Sequence, residues 1–167
     1  MPAIPDWALA LTFWIHFLAA VTLVGSLVAT SILVLPAAQT LDPLDQLNLI
    51  TVIQKRMEPA VWLSLSVLIV TGLFQMSLNI HYNGFLSVSS QWTIAILVKH
   101  ILVVMLIVAS AVQTWDVLPT IRRLLLRKDK ASQEEASKLQ SREAWLLRAN
   151  LILAILILGA TAFMRAA

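Results

Sequence analysis

The chain contains no cysteine and carries little charge. Without cysteine, disulfides, thiolate metal sites and cysteine nucleophiles are excluded. Asp, Glu, Lys and Arg together make up 13% of its 167 residues, whereas an ordinary soluble domain carries about 25%. Hydrophobic residues account for 59%, and this balance predicts a membrane protein.

Basic residues are also missing from the first part of the chain, where none precedes Lys55. The first apolar run therefore lacks the positive region with which a secretion signal begins, and it is too long for the apolar core of such a signal. We interpret this run as a retained helix.

Four apolar segments are long enough to cross a bilayer, at about residues 7–35, 60–80, 91–118 and 144–163. A crossing needs roughly 20 helical residues, and in lipid every backbone amide must be satisfied within its own helix. The short connections favour an up-down-up-down arrangement. The sequence thus predicts one all-α domain over residues 1–167, an integral membrane four-helix bundle whose first and third helices are parallel and diagonal.

The basic residues cluster in two connections. One follows the third segment and contains Arg122, Arg123, Arg127, Lys128, Lys130, Lys138, Arg142 and Arg148. The other joins the first two segments and contains Lys55 and Arg56, whereas the connection at 81–90 contains no Lys or Arg. The positive-inside rule predicts that both basic connections are cytoplasmic and that the N and C termini are outside. We expect the basic stretch to lie on anionic headgroups of the lipid bilayer, with no nucleic acid as a partner.

Local signals refine the boundaries. Pro59 follows Glu58 at the predicted start of the second helix, where proline loses no hydrogen bond. Pro119 is predicted to kink the third helix as it leaves the membrane, and "IRRLLLRK" beyond it is predicted to be amphipathic. "KDKASQEEASKLQSREAW" indicates a polar, helical hairpin connection, and "HYNGF" a turn-rich outer loop in which His81 is interfacial.

His16 and His100 lie inside predicted spans at matching depth. Counted from Trp7 and Trp92 as interface anchors, they lie nine and eight residues in. At ~1.5 Å per residue these depths are ~13.5 Å and ~12 Å. Both occupy faces that carry further polar residues, a pattern typical of the interior of a membrane bundle: Thr12, Ser26 and Thr30 on the first helix, and Thr93, Ser110 and Thr114 on the third.

Two facing imidazoles suit the axial ligation of a b-type haem, with Ser, Thr or Gln accepting from the remaining ring nitrogen. The alternatives are that each histidine bonds another helix or handles protons. Copper(I) prefers soft sulfur ligands, and the chain has no cysteine and no methionine cluster. The residues alone therefore favour haem b over copper.

Lys99 lies about 100° around the helix from His100. A lysine at the centre of a membrane helix costs about 2.5–3.5 kcal/mol, unless its long stem snorkels to the outer surface. The other interpretation is that Lys99 pairs with an anionic group, such as a haem propionate or an acidic substrate. No acidic residue of the spans lies near its depth.

The stretches "IHFLAAVTLVGSLVATSILVLPA", "VLIVTGLF" and "WTIAILVKHILVVMLIVAS" resemble the copper-resistance-protein-D-like (CopD) membrane domain. The helix-1 histidine and following glycine of that family fall on His16 and Gly25. Its Thr-Gly near the end of helix 2 falls on Thr71 and Gly72, and its helix-3 lysine on Lys99. Both glycines would let a neighbouring backbone or a flat ligand approach closely.

This resemblance implies copper uptake or tolerance in a bacterial inner membrane or an equivalent energy-transducing membrane. The family's Trp-Gly-Gly is Val24-Gly25-Ser26 here, and His100 is not part of the family pattern. A fainter similarity, through "KRMEPA" and Lys99, is to the HemJ-type haem-binding protoporphyrinogen oxidase, which implies a tetrapyrrole site at His16.

Together these patterns lead to one hypothesis and three alternatives. The leading hypothesis is haem b held between His16 and His100 for membrane electron transfer, with a quinone or another redox protein as partner. The alternatives are a copper transport or tolerance protein, a HemJ-like tetrapyrrole-oxidising enzyme, and an accessory subunit of a larger complex or a homo-oligomer. Electron transfer or transport is expected rather than a stand-alone enzyme.

Overall fold

A computed structural model describes residues 5–78, 91–127 and 129–166. The predicted outer loop at 81–90, with His81, lies outside the described residues. Within them the chain forms six α-helices and two π-helical segments: α1 (Asp6–Val28), the first π segment (Ala29–Val34), α2 (Leu35–Ala38), α3 (Pro43–Ser77), α4 (Gln91–Val112), the second π segment (Gln113–Val117), α5 (Leu118–Leu126) and α6 (Lys130–Ala166).

Four continuous helical stretches are long and apolar enough to cross a membrane, at Asp6–Ala38, Asn48–Ser77, Thr93–Leu124 and Glu134–Phe163. Their outward faces are apolar and exposed, as at Phe17, Ile101 and Leu156. In a bilayer these faces meet hydrocarbon, so their exposure carries no penalty. The all-α, four-span prediction is confirmed.

α3 and α6 are longer than the apolar segments that predicted them. α3 begins at Pro43, so Pro59 lies inside a helix and not at its start. α6 begins at Lys130, so the predicted hairpin connection is a continuous part of the last helix. The length of an apolar segment predicts only the part of a helix that lies in lipid, and the helix can continue beyond that part into polar sequence.

Asp129 caps the start of α6. Its Oδ2 accepts hydrogen bonds from the backbone N–H of Ser132 at 3.0 Å and from the Ser132 hydroxyl at 2.9 Å. These bonds satisfy a donor that the first turn of a helix leaves unpaired. The Ser132 hydroxyl bond, followed by the backbone bond, also holds the pKa of Asp129 below its ordinary value.

The two π segments end immediately ahead of proline-containing turns, at Pro36 and Pro119. A proline has no N–H, and its ring crowds the carbonyl four residues earlier. In the π segments the bonds reach one residue further back: the Leu35 N–H donates to the Thr30 carbonyl and the Leu118 N–H to that of Gln113. The widened turn lets the helix continue past each proline.

The helices pack as two antiparallel pairs, α1 with α3 and α4 with α6, and α6 also contacts α1. All four spans contribute to one buried apolar cluster, which consists of Leu23, Leu27, Leu65, Leu106 and Ala154. We call this cluster the apolar layer. It lies between two groups of polar side chains described below.

One end of the bundle carries the basic connections and is called the basic end. The short helix α5 lies there against α6, with Ile121 and Leu124 buried while Arg122 and Arg123 are exposed. The predicted amphipathic character of "IRRLLLRK" is confirmed. The opposite end, with the start of α1 and the end of α6, is called the terminal end.

Candidate functional site

His16 on α1 is held by a residue of α3. Its Nδ1 lies 2.7 Å from the hydroxyl oxygen of Thr71. That hydroxyl donates its own proton to the Val67 carbonyl at 2.6 Å, so it accepts from the imidazole. The ring is therefore protonated on Nδ1, and Nε2 carries the lone pair. The predicted Ser, Thr or Gln acceptor for His16 is Thr71.

Gly72 lies beside the same ring. A Cβ built on Gly72 would lie 3.5 Å from Cε1 of His16, in ordinary van der Waals contact. The glycine thus leaves the edge of the imidazole next to Nε2 without a side chain on this side. An added methyl would therefore fit against the ring, and the close approach of a backbone or a flat ligand predicted at Gly72 stays a prediction.

Gly25 has a different environment. It is exposed, and an added Cβ would meet no atom of the described residues within 4 Å. The close approach predicted at Gly25 is therefore not made within this part of the chain.

A further polar contact joins α1 and α3 one turn nearer the terminal end. The side-chain amide of Gln75 donates to the Thr12 carbonyl at 3.5 Å. With the His16–Thr71 bond it fixes the register of the two helices on successive turns. The position of the imidazole thus depends on both helices.

His100 on α4 is half-buried, and its Nδ1 lies 2.7 Å from the Ile96 carbonyl of its own helix. A carbonyl can only accept, so His100 also carries its proton on Nδ1 when neutral. The described residues contain no cluster of three or more His, Asp or Glu side chains that could hold a metal. The pairing of His16 with His100 stays a prediction.

Lys99 is also half-buried and interacts electrostatically with the His16 ring. The structure therefore brings the charge of α4 within range of the histidine on α1. The positive charge of Lys99 opposes the binding of a cation at His16. Lipid and apolar side chains around the spans screen this repulsion poorly.

A second polar group lies beyond the apolar layer towards the basic end. Sequence analysis predicted inward polar faces at four residues of its lining but did not identify the remaining members of the group. The four predicted residues are Ser26, Thr30, Ser110 and Thr114. A cavity of about 70 Å³ lies there, lined by residues of α3, α6 and both π segments, among them Thr30, Gln54, Gln113 and Asn150. Asn150 is only 1% exposed, and its side-chain amide donates to Oε1 of Gln113 at 3.3 Å. Its own Oδ1 has no hydrogen-bond partner in the described structure.

A buried carboxylate lies beside this cavity. Glu143 on α6 is 2% exposed, and its Oε1 accepts from the side-chain amide of Gln54 on α3 at 2.7 Å. A small gap of about 10 Å³ is lined by Thr30, Gln54 and Glu143. For Asn150 the sequence signal was available, because a polar residue inside an apolar span is a candidate functional position by default. Gln54 and Glu143 lie just outside the predicted spans at 60–80 and 144–163.

Comparison with known proteins gives one match. Residues 53–164 match the family model described as copper resistance protein D. No curated protein and no solved structure matches the chain. The matched range contains Thr71, Gly72, Lys99 and His100, and it begins after His16.

Proposed function

The chain belongs to the copper resistance protein D family, and on that premise we propose that it moves copper ions through the membrane with His16 as a ligand. In this proposal the ion is the cargo, and the Nε2 lone pair of His16 binds it transiently. The basic end faces the cytoplasm of a bacterial inner membrane, and the ion meets His16 from the terminal end.

The observation that carries the proposal is the bond between His16 and Thr71. An imidazole that ligates a metal generally donates its other N–H to a fixed acceptor, which sets its tautomer and raises its basicity. Thr71 is such an acceptor because its own proton is committed to Val67. Imidazole nitrogen is among the ligands that suit copper.

The donor set fits a passing ion better than a stored one. The chain has no cysteine, and the charge of Lys99 acts on His16. Both features lower the affinity for a cation. A site on a conduction path must bind strongly enough for the ion to enter and weakly enough for it to leave.

The test is copper(I) flux into liposomes that contain the purified protein. We expect His16→Ala to lower the flux by at least about 10- to 100-fold, because loss of the hydrogen-bonding partner of a metal ligand alone has an effect of that size. Thr22→Ala is the matched control, because Thr22 is exposed on the same helix and bonds only its own backbone. Unchanged flux in His16→Ala would refute the proposal.

A second candidate is electron transfer through haem b held by His16 and His100. It is supported by the Nδ1 protonation of both rings, which leaves Nε2 as the ligand nitrogen of each. Haem would supply a one-electron carrier, and this chain would supply the two imidazoles.

Absorption spectroscopy separates the two candidates. Protein produced with a haem supply should show a Soret band and a sharp α-band when reduced, and His16→Ala and His100→Ala should each abolish the low-spin spectrum. A protein without a Soret band under these conditions excludes the haem candidate and leaves the copper proposal intact.

A further inference from the structure

We propose that Glu143 is a proton-binding site, which exchanges its proton with the basic end of the bundle through water in the neighbouring cavity. The proton binds at Oε2, while Oε1 keeps its contact with Gln54. This site lies across the apolar layer from His16, and the inference does not depend on copper being the cargo.

The first observation is the partner of the carboxyl group. Glu143 is 2% exposed, and its side chain makes one hydrogen bond in the described structure, which Oε1 accepts from the Gln54 amide at 2.7 Å. A buried carboxylate that has to stay charged needs a cation, because burying an unpaired charge is very costly. An amide carries both a donor and an acceptor, so it can bond the carboxylate and the protonated acid alike. This pair therefore accommodates both protonation states.

Basic residues are close in sequence but do not pair with this carboxyl group. Lys55 follows Gln54 and Arg142 precedes Glu143, yet both basic side chains are exposed. Within the described part of the chain Glu143 thus forms no ion pair, and binding a proton removes the cost of its buried charge. Charged residues of the surrounding elements are exposed as well, among them Arg56 and Glu58 on α3, Asp116 in the second π segment, Arg122 and Arg123 on α5, and Lys138 and Arg148 on α6. On α4, Lys99 and His100 lie beyond the apolar layer.

The second observation is the mixed polar lining of the cavity of about 70 Å³. Its hydroxyls, such as those of Ser110 and Thr114, can donate, whereas Oδ1 of Asn150 can only accept and has no partner in the described structure. Water both donates and accepts, and a buried water typically makes about three hydrogen bonds. The cavity has room for two waters at about 30 Å³ each. Its lining and volume therefore suit a small water cluster.

The third observation connects this water to the carboxyl group. The gap of about 10 Å³ beside Glu143 shares Thr30, Gln54 and Leu147 with the cavity. Such a volume is about the space that one water needs. One water in the gap therefore links Oε2 to the water of the cavity, and a proton can move along that link.

The position of the cavity determines the side from which the proton arrives. Along α1, Leu23 and Leu27 of the apolar layer separate Thr30 from His16. Apolar constrictions exclude water and hydrated ions, so this layer separates Glu143 from the terminal end. Glu58, which is exposed, is part of the cavity lining. The cavity thus reaches the surface on the same side of the apolar layer as the basic end.

Infrared spectroscopy of the purified protein in detergent tests for the bound proton. A protonated carboxyl group has a C=O stretching band that a carboxylate lacks. We expect such a band to grow as the pH is lowered between about 8 and 5, the range in which folded proteins are generally most stable. Glu143→Gln should abolish it, and Glu135→Gln should keep it, because Glu135 is exposed on the same helix. A band that survives in Glu143→Gln would overturn the site.

Glu143→Asp tests the same assignment if the protein does not fold without this carboxyl group. It keeps the group on a shorter side chain, so the band should remain and change its frequency. An unchanged frequency in the folded Asp variant would show that the band belongs to another carboxyl group, which would also overturn the site.

Transfer into heavy water tests the route. The band shifts as a deuteron replaces the proton, so the rate of the shift measures access to Glu143. Thr30→Val removes a hydroxyl shared by the cavity and the gap with little change of shape. We expect about 2- to 10-fold slower exchange, the loss expected when one hydrogen bond is removed from the path. Thr12→Val is the matched control, because Thr12 is half-buried on the same helix beyond the apolar layer, and its exchange rate should be unchanged.

Two results would contradict the route through the cavity. One is an unchanged exchange rate in Thr30→Val, and the other is slower exchange in Thr12→Val than in Thr30→Val. These measurements are made without copper. Failure of the copper proposal would therefore appear in the His16 variants and would leave the titration and exchange of Glu143 unchanged.

Discussion

Thr71 on α3 accepts a hydrogen bond from Nδ1 of His16 on α1 at 2.7 Å while donating its own proton to Val67 at 2.6 Å. The direction of both bonds follows from the second one, because a hydroxyl has one proton. The pair fixes the tautomer of the imidazole and joins two membrane spans.

Replacing Thr71 should weaken copper binding without removing the ligand. Thr71→Val keeps the shape but has no acceptor, so the ring loses its fixed tautomer, and we expect copper(I) affinity to fall about 10-fold. Thr71→Ser keeps the hydroxyl and should retain most of the affinity. Competition titration with a copper(I) chelator measures both, and equal losses in the two variants would contradict the role of the hydroxyl.

Substitution of Lys99 distinguishes repulsion of a cation at His16 from pairing with an anionic group. If its charge opposes a cation on His16, Lys99→Gln should raise copper(I) affinity about 10-fold, which corresponds to roughly 1.4 kcal/mol of charge repulsion. Lys99→Arg keeps the charge and should leave the affinity unchanged. The same chelator competition applies. Weaker binding in Lys99→Gln would instead favour the alternative that the lysine meets an anionic group.

Gly72 should tolerate only a small side chain. The added methyl of Gly72→Ala lies in ordinary contact with Cε1 of His16 at 3.5 Å, so copper flux should change by less than about twofold. Gly72→Leu would push the imidazole away from Thr71, and its flux should fall to that of His16→Ala. Full flux in Gly72→Leu would show that the ring position near α3 is not required.

The sequence predicted much of this arrangement, and the parts that it did not predict have separate physical reasons. The lengths of the apolar segments located four spans, and the spacing of polar residues placed His16 on a polar face, where Thr71 contacts it. Depth does not determine rotation about a helix axis. The charge of Lys99 acts on His16, and the pairing of His16 with His100 stays a prediction.

The remaining members of the second polar group escaped notice for another reason. Asn150 and Glu143 are single polar residues within or beside a strongly apolar span, and averaging over a window hides them. The π segments could not be predicted from proline positions either, because Pro59 lies within a continuous α-helix whereas Pro36 and Pro119 follow widened turns. Packing decides between those outcomes.

The bond between Gln54 and Glu143 should contribute to stability. Gln54→Leu removes the donor at 2.7 Å from a buried carboxylate, and we expect unfolding free energy to fall by about 1–3 kcal/mol. Adding Glu143→Leu to that variant removes the unpaired group and should recover much of the loss. Chemical unfolding in detergent measures this cycle, and additive losses would show that the two side chains do not interact.

The orientation of the bundle can be tested directly because the chain has no cysteine of its own. Asp6 is exposed at the terminal end, and Ala131 is exposed at the start of α6 at the basic end. With the basic connections in the cytoplasm, Asp6→Cys should react with a membrane-impermeant maleimide in intact spheroplasts, and Ala131→Cys should react only after lysis. Reaction of both variants after lysis controls for accessibility. The reverse pattern would place the termini in the cytoplasm, and an ion arriving from outside would then meet the Asn150 cavity before His16.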